Sequence, residues 1–297
     1  MKPFRDKFDF IFYAFGCPYA DYSLDNSGNV IPNFEHDSFK EGMKYIKKLW
    51  DENLIEKEFT LNDVQSMENK FFQSKFGVVP EWLFRNYNRI QTSLQSVNPD
   101  GKLGFMDPPE GLDGKKGMRG QSRGGIITSI TNACKNPEKA SKFIEFLVSP
   151  EGRDLLQLGI EGTHYTKQDG KIIYNEDERA KDQFSPNGWA HPLAWVSVIA
   201  PIDAKYLPET EPQRQKALES VDVATRNIVP NLIPVNVDSQ VELGSVLGDI
   251  FDQYFIEMLT GKIDIDKGVD ELSKKWRQQG GDKVLQEASE LYKKYKK

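Results

Sequence analysis

Apolar residues recur at three- and four-residue spacing over long stretches of the chain, and this spacing predicts a helix-rich protein. The pattern is most regular in the C-terminal third, where it predicts four helices: residues 209–229, 239–260, 266–278 and 282–296. Aspartates lie at the predicted starts of the last three, and their carboxylates are suited to accept the first free backbone N–H groups: Asp238, Asp266 and Asp282.

Helix and strand patterns alternate in the first part of the chain. Ser38 and Glu41 have the spacing of a capping box, which predicts a helix that begins there. A second helix is predicted over residues 64–73, and the run at 76–79 is typical of a short buried strand. Strands interleaved with helices indicate an α/β protein.

The stretch from 136 to 174 carries the strongest local signals. Asn136 and Ser149 are each followed by proline and glutamate, which predicts two consecutive helix starts, and Gly159 provides a stop. Asp169-Gly170 between two short β-prone runs predicts a hairpin. The first helix carries an apolar stripe that we expect to face a core: Ala140, Phe143, Ile144 and Leu147.

These motifs, taken in order, resemble the extracellular solute-binding proteins, family 1, of ABC importers, in particular the lipoprotein group of Gram-positive bacteria. The resemblance rests on KNPE at 135–138, SPEG at 149–152 and EG-x-x-Y-T…DGK at 161–171. It extends upstream to the segment 39–59 and downstream to F-x-x-x-LTGK at 255–262. The order and spacing of these motifs, rather than any one of them, carry the resemblance.

The resemblance implies a type II periplasmic-binding-protein fold, with two lobes joined by a hinge and a helix-rich C-terminal part. It assigns residues 1–123 to the C-terminal lobe, 124–208 to the N-terminal lobe and 209–297 to the C-terminal lobe again. Glycines and prolines near residues 123–124 and 207–212 suit hinge crossings, because a hinge must absorb changes in backbone angle.

The function that the resemblance implies is capture of a carbohydrate, in particular an oligosaccharide, by hinge closure and its delivery to a membrane permease. The expected partners are the sugar and the permease subunits, and the expected state is a monomer outside the cell, attached to the outer face of the cytoplasmic membrane. Full-length members begin with a signal peptide, a lipid-modified cysteine and a first lobe. The pattern predicts that this chain is N-terminally truncated relative to them and that apolar faces are left exposed.

Charge and cysteine content narrow the remaining classes of function. A net charge of −6 argues against a general nucleic-acid binder. Cys17 and Cys134 lie far apart with no zinc-ligand spacing, so two isolated thiols are expected, with a disulfide as the alternative, and neither a metal nor a cofactor is predicted. The acidic turn at residues 25–28 lacks the alternating oxygen ligands of a calcium loop.

Sugar sites pair aromatic rings with carboxylate, amide and guanidinium partners, and this chemistry selects the candidate ligand-binding residues. Trp82 follows a predicted strand and opens a helix, with Glu81 and Arg85 close enough in sequence to supply polar partners. Trp189 and Trp195 lie in an aromatic loop that also contains glycine and proline. Plain packing of each tryptophan is the alternative.

Two further hypotheses remain open. A glycosidase would need paired carboxylates, and Glu110 with Asp113, or Glu161 with Asp169, could supply them, although such pairs arise by chance among 45 acidic residues. The other hypothesis is a remnant that has lost its ligand site. No catalytic residues are assigned, since the chain has neither a phosphate-cradling glycine motif nor a nucleophile motif near its histidines.

Overall fold

A computed structural model describes residues 7–19, 21–80, 87–120, 128–182, 184, 213–233 and 235–296. Its α-helices are α1 (Asp9–Ala14), α2 (Asp37–Asp51), α3 (Val64–Phe72), α4 (Tyr87–Val97), α5 (Pro137–Val148), α6 (Pro150–Leu158), α7 (Glu176–Lys181), α8 (Gln213–Arg226), α9 (Asp238–Leu259), α10 (Ile265–Trp276) and α11 (Asp282–Tyr295). Its strands are β1 (Tyr22–Leu24), β2 (Val30–Pro32), β3 (Met118–Arg119), β4 (Tyr165–Gln168), β5 (Lys171–Tyr174) and β6 (Ile228–Val229).

The chain divides into two compact units, each made of separate segments. Unit 1 comprises Met1–Pro80, Met106–Arg123 and Arg226–Lys297, and unit 2 comprises Glu81–Phe105 and Gly124–Thr225. The assignment of residues 1–123, 124–208 and 209–297 to lobes of the family fold stays a prediction.

Unit 1 is built around one extended hydrophobic core. Side chains from α1, α2, α9, α10 and α11 fill it, and several of them are fully buried: Met43, Ile46, Met258, Leu272, Val284 and Ala288. The last three predicted helices of the C-terminal third therefore exist as α9, α10 and α11, and their apolar faces form about half of this core. The helix predicted over 209–229 is shorter, since α8 ends at Arg226 and residues 228–229 form β6. Each Å² of apolar surface removed from water stabilises the folded state by about 25 cal/mol, so this core makes the main stabilising contribution to unit 1.

The C-terminal helices are also tied to the N-terminal part of unit 1 by polar contacts. The guanidinium of Arg277, after α10, donates to both carboxylate oxygens of Glu35 at 2.8 and 2.6 Å, and to Asp282 at 2.8 Å. In the same way Glu287 of α11 accepts from the backbone N–H and hydroxyl of Ser239 at the start of α9. These contacts fix the angle at which α9, α10 and α11 meet.

Two small sheets lie in unit 1. Strands β1 and β2 form an antiparallel hairpin, whereas β3 and β6 pair in parallel although they are more than a hundred residues apart in the chain. Glycine is required beside the second pair, because a Cβ atom at Gly117 would lie 2.1 Å from Val229 and one at Gly120 would lie 2.7 Å from Ile228. The close approach of the two strands therefore depends on these two residues.

In unit 2 the predicted helix starts are confirmed. The side chain of Asn136 accepts from the N–H of Lys139, and that of Ser149 accepts from Gly152 at 3.1 Å. Gly152 is buried in the corner between α5 and α6, and a Cβ atom there would lie 2.0 Å from the carbonyl oxygen of Phe146. Only glycine fits this corner without displacing the backbone.

The predicted hairpin of unit 2 is also confirmed as β4–β5. Asp169 and Gly170 both have positive φ, 51° and 77°, as a two-residue turn of this kind requires. Tyr165 packs on Leu158 in a small apolar cluster. The aromatic ring at the Y-T position of the motif therefore holds the hairpin against α6.

Several local predictions were wrong. Asp238 and Asp282 are the first residues of α9 and α11 rather than their caps, and neither helix start has a side-chain cap hydrogen bond. The cap of α2 is His36, whose ring Nδ1 accepts from the N–H of Ser38, so the helix begins before the Ser38–Glu41 pair. The cap of α10 is Asp264, two residues before Asp266. Residues 76–79 form no strand: Val78 is 64% exposed, so the apolar run is not buried there.

The apolar stripe of α5 is only partly covered. Leu147 is buried, but Phe143 is 52% exposed, and Phe146 and Leu155 nearby on α5 and α6 are exposed too.

Candidate functional site

The ligand-binding residues proposed from the sequence cannot be placed. Glu81, Trp82 and Arg85 lie in the segment 81–86, and Trp189 and Trp195 in the segment 185–212, both outside the described residues. Their roles stay predictions. A concave polar and aromatic site is nevertheless present elsewhere, within unit 1.

This site, the unit 1 pocket, has a volume of about 350 Å³. One wall is a single face of α9, on which Gln240, Gly244, Gly248 and Phe251 recur at four- and three-residue spacing. Both glycines lie in the middle of a helix of 22 residues. Because they have no side chains, the backbone of α9 itself forms part of the wall.

Aromatic rings make up the floor and the facing wall. Phe12 stacks on Phe39 with ring centroids 4.6 Å apart, and Trp276 meets Phe34 edge to face at 5.6 Å. Rings locked in this way by their neighbours present flat apolar surfaces of fixed orientation. All four rings are buried and belong to the hydrophobic core of unit 1.

Charged and amide groups lie at the rim of the pocket. The guanidinium of Arg119, on β3, donates to Asp9 at 2.7 Å and to Asp21 at 2.6 Å. The hydroxyl of Tyr22 donates to the side-chain oxygen of Gln240 at 2.8 Å. These contacts join α1, β1, β3 and α9 and fix the polar groups in place.

Tyr13 lines the same pocket and is 3% exposed. Its hydroxyl has no hydrogen-bond partner among the described residues. Burial, and then the charge of Asp9, raise the pKa of Tyr13 above its usual range, so the hydroxyl stays protonated and can donate. A buried hydroxyl without a partner costs about 1 to 3 kcal/mol.

The motif residues of unit 2 are engaged in structural contacts. The ring Nδ1 of buried His164 accepts from the N–H of Ile160 at 2.9 Å, so its Nε2 carries the proton and donates to Asp182 at 3.0 Å. The carboxylate of Glu161 binds Lys167 at 3.0 Å. A second surface depression, of about 450 Å³, lies beside Tyr165 and Tyr174, and Glu176 and Asp177 contribute to its lining.

The other candidate chemistry of the sequence is accounted for by local contacts. The side-chain amide of Asn29 donates to Asp25 at 2.9 Å, and the backbone N–H groups of Asn29 and Ser27 donate at 2.8 Å each. These bonds, the amide bond first, lower the pKa of Asp25 and shape the β1–β2 turn. Cys17 and Cys134 are both free thiols. Over the described ranges, no group of three or more His, Cys, Asp or Glu side chains could hold a metal ion.

Sequence reasoning missed the unit 1 pocket. The signal was the spacing of polar, small and aromatic residues along α9, which we interpreted only as a helical core face. The helices of the described ranges include none that is both long and apolar enough to cross a membrane.

Comparison with known proteins gives relatives along nearly the whole chain. The protein is 25% identical to "Lipoprotein LipO" of Bacillus subtilis over 94% of this chain and 55% of the relative. It is 31% identical to "Fructooligosaccharide ABC transporter substrate-binding protein FusA" of Streptococcus pneumoniae over 49% of this chain and 26% of that protein. The chain thus spans little more than half the length of LipO, and FusA is matched over a smaller part.

A solved structure shares the fold. The alginate-binding protein AlgQ2 aligns with 97% of this chain and 62% of its own length, with a TM-score of 0.66 and 22% identity. This similarity confirms the predicted periplasmic-binding-protein fold.

Two family models match the sequence. Residues 236–297 match a domain of unknown function (DUF3502). Residues 6–154, half of the chain, match the bacterial extracellular solute-binding protein model. The chain therefore belongs to the bacterial extracellular solute-binding proteins.

Proposed function

We propose that this chain is the substrate-binding component of an ABC importer and that its substrate is a carbohydrate, in particular an oligosaccharide. The match of residues 6–154 to the solute-binding family carries the proposal. The names of FusA and AlgQ2 support the substrate class, since one is a fructooligosaccharide transporter's substrate-binding protein and the other is an alginate-binding protein. The proposed role is binding and delivery, without cleavage of a bond.

The proposed binding step combines stacking with hydrogen bonding. Trp82, with Glu81 and Arg85, is proposed as one part of the site, and Trp189 and Trp195 as another. An indole ring stacks on the C–H face of a sugar, while carboxylate and guanidinium groups bind its hydroxyls. Closure around the sugar would present the receptor to the permease.

The proposed setting is the outer face of the cytoplasmic membrane, with permease subunits as partners and the receptor itself as a monomer. The family's extracellular character and the name of the relative LipO, a lipoprotein, support this placement.

Thermal unfolding with a panel of saccharides tests the proposal. A ligand at a hundred times its Kd stabilises the native state by about 2.7 kcal/mol, which corresponds to a rise in Tm of roughly 5 to 11 °C for a chain of this size. The panel contains neutral and acidic oligosaccharides. If no member raises Tm, the proposal fails.

The variant Trp82→Ala tests the site within that experiment. We expect it to abolish the rise in Tm while the Tm without ligand changes little. Trp50→Ala is the matched control, because Trp50 packs on Phe59 and Lys57 within unit 1. It should lower the basal Tm and keep the rise. Retained binding in Trp82→Ala would remove Trp82 from the site.

A further inference from the structure

Two of the passages of the chain between its units are tied together where they enter unit 1. These passages lie at residues 105–106 and 225–226. Directly inside unit 1, the carboxylate of Asp107 accepts from Nε and Nη2 of Arg226 at 2.9 and 3.0 Å, and from the side-chain amide of Asn227 at 2.6 Å. These three residues form the crossing clamp, which joins two segments that are far apart in the sequence.

The backbone on both sides of the crossing clamp is stiff. Asp107 precedes Pro108 and Pro109, whose rings fix their own φ angles and restrict Asp107 to extended conformations. Arg226 is the last residue of α8, so a helix of 14 residues runs directly into the clamp. Neither Asp107 nor Arg226 can therefore move far without displacing the segment to which it belongs.

Asn227 connects the clamp to the parallel sheet of unit 1. Its side chain donates to Asp107, and its carbonyl oxygen accepts from the N–H of Met118 in β3 at 2.7 Å. The residue is 5% exposed, so it is enclosed by unit 1 on most sides. Strand β3 leads to another passage between the units, at residues 123–124. A change at Asp107 is therefore expected to reach the pairing of β3 with β6.

The charged contact in the clamp fixes geometry more than it adds stability. The side chains of Asp107 and Arg226 are 39% and 48% exposed, and exposed ion pairs contribute little to the free energy of unfolding. The bonds from Arg226, and then from Asn227, lower the pKa of Asp107, so the carboxylate is ionised at neutral pH. Two parallel N–H bonds from one guanidinium fix the orientation of both partners.

We propose that the crossing clamp makes the two passages pivot as one body and so narrows the range of relative movement open to unit 1 and unit 2. Hinge movements bend a few loop or element-terminal residues, and the clamp prevents these two passages from bending independently. A receptor restricted in this way loses less conformational entropy when it closes on a sugar. This consequence for binding rests on the proposed function, whereas the restriction of movement is a property of the ligand-free chain.

Distances between two spin labels test the restriction in the ligand-free chain. One label is attached to Cys134 in unit 2 and the other to Lys274→Cys, at an exposed position of α10 in unit 1, while the buried Cys17 stays unlabelled. The further substitution Asp107→Ala removes both acceptor oxygens of the clamp. We expect it to broaden the distribution of label distances, because the two passages then bend separately.

Two further variants show whether the effect belongs to the clamp. Asp51→Ala is the matched control, because Asp51 accepts from Lys47 at 2.9 and 2.7 Å within α2, so this change also breaks an exposed ion pair of unit 1. It should leave the distance distribution unchanged. Arg226→Ala opens the clamp from the other side and should broaden the distribution. Combined with Asp107→Ala it should add little, since both changes remove the same contact.

Hydrogen exchange and sugar binding measure the consequences of opening the clamp. The amide of Met118 should exchange faster in Asp107→Ala than in the wild type and should be unaffected in Asp51→Ala. The binding probe is the member of the saccharide panel that raises the wild-type Tm most. Asp107→Ala should bind it about two- to tenfold more weakly, the size of the cost of ordering one more flexible group, while the Tm without sugar changes little.

The outcomes separate this inference from the proposed function. If Asp107→Ala leaves the distance distribution unchanged, or if Asp51→Ala broadens it equally, the clamp is overturned and the receptor function stands. If the distribution broadens as expected but no sugar binds the wild type, the clamp stands and the proposed function fails. Equal affinity in the wild type and in a broadened Asp107→Ala would overturn the consequence for binding.

Circular dichroism shows whether each variant keeps its fold. If Asp107→Ala does not, Asp107→Asn replaces it in every measurement, because it keeps the size of the side chain and loses the charge and one acceptor oxygen. It should broaden the distance distribution in the same sense, and a distribution as narrow as that of the wild type would overturn the clamp.

Discussion

Unit 1 and unit 2 differ in how their apolar residues are used. In unit 1 the faces of α2, α9, α10 and α11 meet in one core with fully buried side chains such as Leu272. In unit 2 the described cluster around Leu158 and Tyr165 is small, and Phe143 on α5 is half exposed. In unit 2, local signals such as caps and turns are therefore sufficient to specify the helices and the hairpin. In unit 1, the burial of apolar side chains in a shared core holds the helices together.

The largest expected effect comes from making the same leucine-to-alanine substitution in both units. Leu272→Ala removes a fully buried side chain and should lower the free energy of unfolding by about 2 to 5 kcal/mol. Leu155→Ala in α6, where the side chain is 40% exposed, should cost about 1 kcal/mol or less. Urea unfolding followed by circular dichroism measures both. Equal costs would mean that the α5–α6 face is packed as tightly as the unit 1 core.

A smaller effect should come from the corner between α5 and α6. Gly152→Ala places a methyl group against the carbonyl of Phe146, and we expect a loss of about 1 to 3 kcal/mol as the two helices move apart. Gly77→Ala in unit 1 is the control, because a Cβ atom there meets nothing within 4 Å. A neutral result at Gly152 would show that the corner can open freely, so that even the local geometry of unit 2 is loose.

The mildest test uses one thiol in each unit. Burial raises the pKa of Cys17 to about 11, which leaves on the order of a hundredfold less reactive thiolate at pH 8 than a thiol of ordinary pKa has. Cys134 in unit 2 is only partly buried. With iodoacetamide and peptide mass spectrometry, we expect Cys134 to be modified first and the rate at Cys17 to rise as the pH increases toward 11. Equal rates at pH 8 would show that the unit 1 core opens as readily as unit 2.

Sequence reasoning succeeded where one or two residues decide the structure. Asn136 and Ser149 cap helices through their own side chains, and Asp169-Gly170 makes its turn through its own backbone angles. The order of such motifs was also sufficient to identify the fold. It failed where neighbouring residues compete: His36 rather than Ser38 caps α2, because the histidine ring reaches the N–H of Ser38 from one residue before the helix.

The unit 1 pocket could not be predicted in the same way. Its lining comes from α1, α2, β1, β2, β3, α9, α10 and α11, which are brought together only by the tertiary fold. The feature of the sequence that indicated the pocket was the pair Gly244 and Gly248 on one face of α9. An analysis of hydrophobic periodicity does not detect such a pair, because it counts glycine as neither apolar nor polar. The rim ion pairs of Arg119 join residues about a hundred positions apart, and no local pattern indicates them.

The parallel pairing of β3 with β6 sets the order of events during synthesis. Unit 1 cannot close until residues 228–229 have left the ribosome, and Arg277 must follow before it can bind Glu35. At about 5 to 20 residues per second, the N-terminal part of the core waits on the order of ten seconds or more for these partners. During that interval its aromatic side chains are exposed and can be bound by chaperones. The exposure ends when the last helix leaves the ribosome.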